Sequence, residues 1–135
     1  MQRFFAIRGL AAALVTILSI ATLPAARADI ADYEFRLVES DVQQGDGAIV
    51  AVQLVDTRTG KAVPDAVIFA TRLDMGPEGM ATMTAPVEAL PSTEPGIYRF
   101  RTNLMMAGGW QLSLAAKVQG ETGTLQSQLV LRALP

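Results

Sequence analysis

The strictest pattern in the sequence is the alternation that runs from Trp110 to Val118. Every second residue is apolar, while most of the residues between them are polar. A period of two is typical of a β-strand that buries one of its faces. The segment 97–104 alternates in the same way, and Met105 and Met106 follow it directly. Together the two segments predict a strand, a methionine-bearing turn and a second strand.

Five other segments have the features of short strands, and no segment after residue 28 shows a sustained helical period. Clusters of glycine, proline and polar residues separate them at intervals of roughly ten residues. These five predicted strands are 29–40, 48–55, 66–73, 81–88 and 124–132. Short strands with this spacing predict an all-β fold, an immunoglobulin-like β-sandwich of about seven strands.

The first 28 residues have the features of a secretory signal peptide. Two arginines make a basic start, an apolar stretch follows, and Ala26 and Ala28 form a small-residue cleavage signal. We expect cleavage after Ala28, which leaves 29–135 as the β-sandwich domain. The alternative is an uncleaved membrane anchor, because the charge-free stretch 9–26 has 18 residues, near the lower limit for crossing a bilayer.

The composition of the exported part excludes several functional classes. Without Arg3, Arg8 and Arg27, 8 of the 11 basic residues remain against 13 acidic ones, a net charge of −5. A nucleic-acid binder needs a basic face, and an anionic membrane surface attracts a polybasic run. The chain contains no Cys and no His, which excludes disulfides, the usual zinc sites and histidine-based nucleophilic catalysis. We therefore expect no enzymatic activity, no nucleic-acid partner and no membrane contact after signal cleavage.

The methionines are the main candidates for a functional site. Three follow the third predicted strand and two follow the fifth, at Met75, Met80, Met83, Met105 and Met106. If successive strands alternate in direction, these loops lie at the same end of the sandwich, together with Asp46. Thioether sulfurs select Cu(I), so these five methionines are candidate metal ligands. Asp74 and Glu78 are then either contacts for the cation or hydrogen-bond acceptors in the loop.

Two other interpretations of the methionines stay open. Methionine also fills irregular gaps in a core, and exposed methionines form an adaptable surface for a protein partner. A weaker candidate is the pair Arg99 and Arg101, which project together from the fifth predicted strand. They either bind an anion or acidic partner, or form a solvated face paired with acids such as Glu34.

Three motifs, in order along the chain, resemble the YtkA-like and FixH-like domain family. They are the stretch 55–67, which reads VDTRTGKAVPDAV, the loop 75–83, and the segment 96–110, where Gly-x-Tyr leads to Met-x-Gly-x-Trp. The resemblance covers about residues 48–118. It implies an exported or membrane-anchored bacterial domain with an immunoglobulin-like fold.

The resemblance also implies a function. Such domains accompany copper handling, heavy-metal efflux or terminal-oxidase assembly, which implies a non-enzymatic accessory protein of the periplasm. The expected partner is a membrane-bound efflux or oxidase-assembly component, and the expected metal is Cu(I). The chain departs from metal-binding relatives in having no histidine, so a copper site would consist of thioethers alone. The alternative is a structural protein–protein interaction module with no metal role.

Overall fold

The computed structural model describes residues 29–135. The predicted signal peptide at 1–28 lies outside the described residues. Between residues 29 and 135, no helix is long and apolar enough to cross a membrane.

Ten strands and two 3-10 helices make up the secondary structure of this range. The 3-10 helices are Ile30–Asp32 and Gly76–Glu78. The strands are β1 (Tyr33–Leu37), β2 (Asp41–Gln43), β3 (Gly45–Asp56), β4 (Lys61–Ala62), β5 (Val67–Met75), β6 (Met80–Ala85), β7 (Val87–Leu90), β8 (Ile97–Leu104), β9 (Gly108–Lys117) and β10 (Leu125–Leu134).

The strands form two sheets that enclose a common core. The first sheet has the order β1-β3-β8-β7, with β4 paired to β3, and the second has the order β2-β10-β9-β5-β6. Every pair is antiparallel except β2 with β10, which run parallel. This arrangement confirms the predicted all-β immunoglobulin-like sandwich.

The alternating segment that begins at Trp110 forms the centre of the core. Its apolar residues at alternate positions, from Trp110 to Val118, are only 0–4% exposed. Phe35, Leu54 and Phe100 of the first sheet pack in the same cluster. Burying one large apolar side chain contributes about 1.5–3 kcal/mol, so this face accounts for much of the stability of a domain without disulfides.

Pro86 divides the segment 81–88, which the sequence predicts as one strand. Met80–Ala85 pairs with β5 in the second sheet, whereas Val87–Leu90 pairs with β8 in the first. Proline has no N–H to donate to a sheet, so the chain leaves one sheet here and joins the other. The prediction of a single strand is wrong, and the short strands β2 and β4 are also additional to the predicted set.

The glycine-rich segment around Asp46 forms a bulge at the start of β3. The pairing of β3 with β8 shifts between Gly45 and Ala48. Gly47 has a φ of +73°, in the left-handed region that glycine adopts without steric cost. The bulge places Asp46 at the end of the sandwich where β8 finishes.

Candidate functional site

The two methionine-bearing loops meet at one end of the sandwich. The 3-10 helix Gly76–Glu78 packs against β9, where Glu78 Oε1 accepts a hydrogen bond of 2.8 Å from the backbone N–H of Gly109. The turn with Met105 and Met106 immediately precedes this strand. The predicted proximity of these loops is therefore confirmed. We call residues 76–80 and 105–109 the methionine end.

Hydrogen bonds hold the methionine turn on two sides. Gln44 Nε2 donates to the carbonyl oxygen of Met105 at 2.9 Å, and Trp110 Nε1 donates to that of Met106 at 3.0 Å. The bulge with Asp46 lies beside the end of β8, which confirms that this turn belongs to the same end. The backbone of the turn is thus fixed, while its two thioether side chains project from it.

Asp74 and Glu78 serve as hydrogen-bond acceptors in the loop after β5. Asp74, whose side chain is 7% exposed, accepts hydrogen bonds from the backbone N–H of Gly76 at 2.8 Å and from Arg72 Nε at 2.9 Å. Arg72 Nη2 also donates to the carbonyl oxygen of Ala81 at 2.8 Å, which ties the two ends of the loop together. Of the two predicted roles of these acids, hydrogen bonding is confirmed, and cation contact stays a prediction.

The five predicted metal ligands differ in burial. Met75 is fully buried in the core, and Met80, its partner across β5 and β6, packs against the same core. Met83 is 40% exposed, Met105 66% and Met106 39%. The first two therefore act as core residues, and the other three present their side chains to solvent. The metal role of all five stays a prediction.

Acidic side chains do not form a separate metal site in the described part of the chain. Within residues 29–135, no three side chains of His, Cys, Asp or Glu gather where they would hold a metal ion.

Arg99 and Arg101 are paired surface residues, as one of the two interpretations predicts. Arg99 Nη2 lies 2.8 Å from Glu94 Oε1, and Arg101 Nη1 lies 3.6 Å from Glu88 Oε2. The prediction that Glu34 pairs with these arginines is wrong, because Glu34 pairs with Arg36 of its own strand at 3.0 Å. Strand β3 lies between β1 and β8 and separates them.

The hydroxyl of Tyr98 makes two contacts that the sequence pattern does not indicate. It donates to the carbonyl oxygen of Val63 at 2.9 Å and accepts from the N–H of Ala66 at 3.0 Å. Burial raises the pKa of this hydroxyl, the hydrogen bond from Ala66 opposes that rise, and the charge of Asp65 adds to it. The alternation marks Tyr98 as an inward-facing residue, but only the folded chain shows that the segment 63–66 wraps its hydroxyl.

A groove of about 580 Å³ opens next to Tyr98. One wall is the start of β5 and the bend before it, and the other consists of Ala89, Leu90 and the segment 92–100. The two walls come from different sheets. No local sequence pattern indicates this groove, because it exists only where the sheets lie side by side.

Comparison with known proteins gives one family match. The family model described as YtkA-like matches residues 27–115. No curated protein matches the chain. Among solved structures, the crystal structure of the Lin-41 filamin domain is similar at 18% identity, with 76% of this chain and 92% of that chain covered and a TM-score of 0.44. The ZirS C-terminal domain is similar at 10% identity, with 100% and 86% covered and a TM-score of 0.44.

Proposed function

This chain belongs to the YtkA-like family, and on that premise we propose that it is a non-enzymatic accessory protein of the periplasm that docks on a membrane-bound partner through its methionine end. The partner in this proposal is a component of an efflux or oxidase-assembly system, the kind that the family resemblance implies. The protein reaches its location either as a cleaved, exported domain or on an N-terminal anchor.

The observation that carries this proposal is the pair of adjacent exposed methionines on a fixed turn. Met105 and Met106 are 66% and 39% exposed, although the carbonyl oxygens of both residues are held by side chains. Long, unbranched thioether side chains adapt to a partner surface. A fixed backbone lowers the entropy that the turn loses on binding.

A site-specific cross-linking experiment tests the proposal. The full chain, in cells that contain its natural membrane proteins, carries a photoreactive residue in place of Met105. A matched control carries it in place of Thr59, an exposed residue in the turn between β3 and β4. We expect an adduct with one membrane protein from position 105 and none from position 59. The double substitution Met105→Ser and Met106→Ser should abolish copurification of that protein. Equal adducts from both positions would contradict docking through the methionine end.

A second candidate function is the handling of Cu(I), and the contact between Glu78 and Gly109 favours it. This 2.8 Å hydrogen bond brings the loop after β5 next to the methionine turn, so that thioethers from both loops lie at one end. Soft sulfur ligands prefer Cu(I). Met75 is fully buried and would have to leave the core to act as a ligand. The three exposed methionines, together with Met80, which is only partly buried, would therefore carry the site.

Titration of Cu(I) against a competing chelator tests this second function. Replacing Met80, Met83 and Met106 together by leucine should weaken Cu(I) binding strongly. Met75→Leu, which keeps the core filled, serves as the control and should leave the affinity unchanged. The absence of measurable affinity in the unaltered protein would remove this candidate and would leave the docking proposal intact.

A further inference from the structure

Half of β5 has a sheet neighbour on one side only. Along Val67–Asp74, β5 pairs with β9, but β6 pairs with β5 only from Leu73 to Met75. No other strand within residues 29–135 pairs with Val67–Thr71. Alternate N–H and C=O groups of a strand point to each side, so this stretch presents free hydrogen-bonding groups. We call Val67–Thr71 the open edge.

The exposure of the side chains follows the same division. From Val67 to Arg72 every residue of β5 except Ile68 is exposed, whereas Leu73, Asp74 and Met75 are buried. Val67 is 62% exposed and Phe69 56%. A bulge between Ile68 and Ala70 interrupts the pairing with β9 at Phe69. The open edge is therefore flanked by apolar side chains that no other part of the described chain covers.

The open edge also lacks the charges that protect a strand edge against pairing. No charged residue occurs from Ala66 to Thr71. The edge strands of the first sheet do carry such charges, with Glu34 and Arg36 on β1 and Glu88 on β7.

The groove beside Tyr98 gives an incoming strand a place to lie. It is lined by Val67 and Ile68 of β5 and, across from them, by apolar residues of the other sheet and its loop, Leu90, Ile97, Tyr98 and Phe100. An extended segment that pairs with β5 would place every second side chain against these residues. This is the geometry of β-strand addition, in which main-chain hydrogen bonds supply affinity and side-chain pockets supply specificity.

The charges at the ends of the groove favour a basic residue in the occupant. Asp65 stands at the start of the open edge and lines the groove, and it takes part in no salt bridge between described residues. On the other wall, Glu94 is matched by Arg99 at 2.8 Å. Among the charged residues that line this groove, the unmatched one is thus negative.

We propose that the open edge and this groove bind an extended segment of a partner protein, apolar at alternate positions and carrying a Lys or Arg that faces Asp65. A second copy of this chain is a poorer occupant. The β5 strand of that copy lies beside its own wall of residues 92–95, and this wall would collide with the corresponding wall of the first copy. The site is lined by the starts of β5 and β8, at the end of the sandwich away from the methionine end, and does not depend on the proposed function.

The probe is a synthetic peptide, acetyl-Lys-Val-Thr-Val-Thr-Val-amide, added to the exported domain. Hydrogen exchange measured with and without peptide should show slower exchange of amides in Val67–Thr71. Val67→Lys places a charge in the apolar groove and should weaken binding about tenfold, which corresponds to 1.4 kcal/mol. Val130→Lys is the matched control, because Val130 is 56% exposed and lies on the same sheet but outside the groove. This variant should bind the peptide as tightly as the unaltered protein does.

A second variant tests the charge. Asp65 has a φ of +64°, and asparagine tolerates this conformation, so Asp65→Asn should keep the fold. It should weaken binding of the lysine peptide but not of the same peptide with glutamine in place of lysine. No slower exchange at Val67–Thr71, or equal losses in Val67→Lys and Val130→Lys, would overturn the proposal. A dimer that Val67→Lys dissociates would overturn it in favour of a second copy.

Discussion

The carboxylate of Glu78 accepts a hydrogen bond of 2.8 Å from the backbone N–H of Gly109, 31 positions further along the chain. A side chain on Gly109 would lie 3.0 Å from Pro77 Cβ, so the absence of one allows this close approach. Together the two residues join the loops that carry the methionines.

Glu78→Ala should remove this link and lower the free energy of unfolding by about 1 kcal/mol, the usual net value of one hydrogen bond. Glu78→Gln keeps an acceptor oxygen and should lose less. Urea unfolding measures both. Glu88→Ala, on the exposed edge strand β7, is the control and should change stability by no more than about 0.5 kcal/mol. A loss at Glu88 as large as at Glu78 would contradict the assigned role.

Gly96→Ala should destabilise the domain more than Gly120→Ala. Both glycines have a positive φ, +79° and +84°, so alanine is strained at either position. A Cβ at position 96 would lie 2.6 Å from Ala62 Cβ, whereas one at position 120 would meet nothing within 4 Å. The added clash should make the first loss larger by about 1–3 kcal/mol, as measured by thermal or urea unfolding. Equal losses would mean that the strand β4 moves aside freely.

Tyr98→Phe should change how stability depends on pH. Burial raises the pKa of the Tyr98 hydroxyl, so the folded state holds this proton more tightly than the unfolded state. The stabilisation is complete below the unfolded pKa of about 10 and is lost as pH rises through the folded pKa. The unaltered protein should therefore lose stability in this alkaline range more steeply than Tyr98→Phe. Unfolding curves at several pH values measure the two slopes, and parallel slopes would contradict the prediction.

At neutral pH the same variant should be less stable, because the carbonyl oxygen of Val63 and the N–H of Ala66 both lose their partner. Both hydrogen bonds are half-buried, and each has a usual net value of about 1 kcal/mol. Tyr33, whose pKa is also raised by burial and by Glu121, offers a comparison. Tyr33→Phe removes a single hydrogen bond, of 3.0 Å to Glu121, and should cost less.

The methionines should separate into two groups when each is replaced by alanine. Met75→Ala opens a cavity in the core and should cost about 2–5 kcal/mol. Met105→Ala removes a side chain that is 66% exposed and should change stability by no more than about 0.5 kcal/mol. The same urea experiment measures both. A large loss at Met105 would show that this side chain packs on the domain and is not free for a partner.

The fold was predictable from the sequence because the strongest signals come from the core. Alternation from Trp110 to Val118 predicts which residues of this segment face inward, and the structure buries all of them. Pro86 indicates that a strand ends there, but it does not indicate which sheet the next strand joins. The exchange of sheets depends on β5 and β8, which are distant in sequence.

The candidate site was predictable in position but not in detail. Strand alternation placed the two methionine loops together, which the contact between Glu78 and Gly109 confirms. Core filling is one of the interpretations of the methionines, but the sequence does not single out Met75 for it, because the third predicted strand ends at Leu73. The strand continues to Met75. Leu73 and Met75 are two positions apart on this strand, so both side chains point to the same, inward face. The open edge of β5 left no local signal, because it reflects where β6 stops pairing.

The single tryptophan of the chain gives the methionine end a built-in fluorophore. The indole of Trp110 is 2% exposed, and its N–H is bonded to the carbonyl oxygen of Met106 at 3.0 Å. A molecule that displaces the methionine turn alters this bond and with it the wavelength of indole emission. Trp110 does not line the groove beside Tyr98, so a peptide bound in that groove should leave the indole emission unchanged. Unlabelled protein can therefore report which of its two ends is occupied.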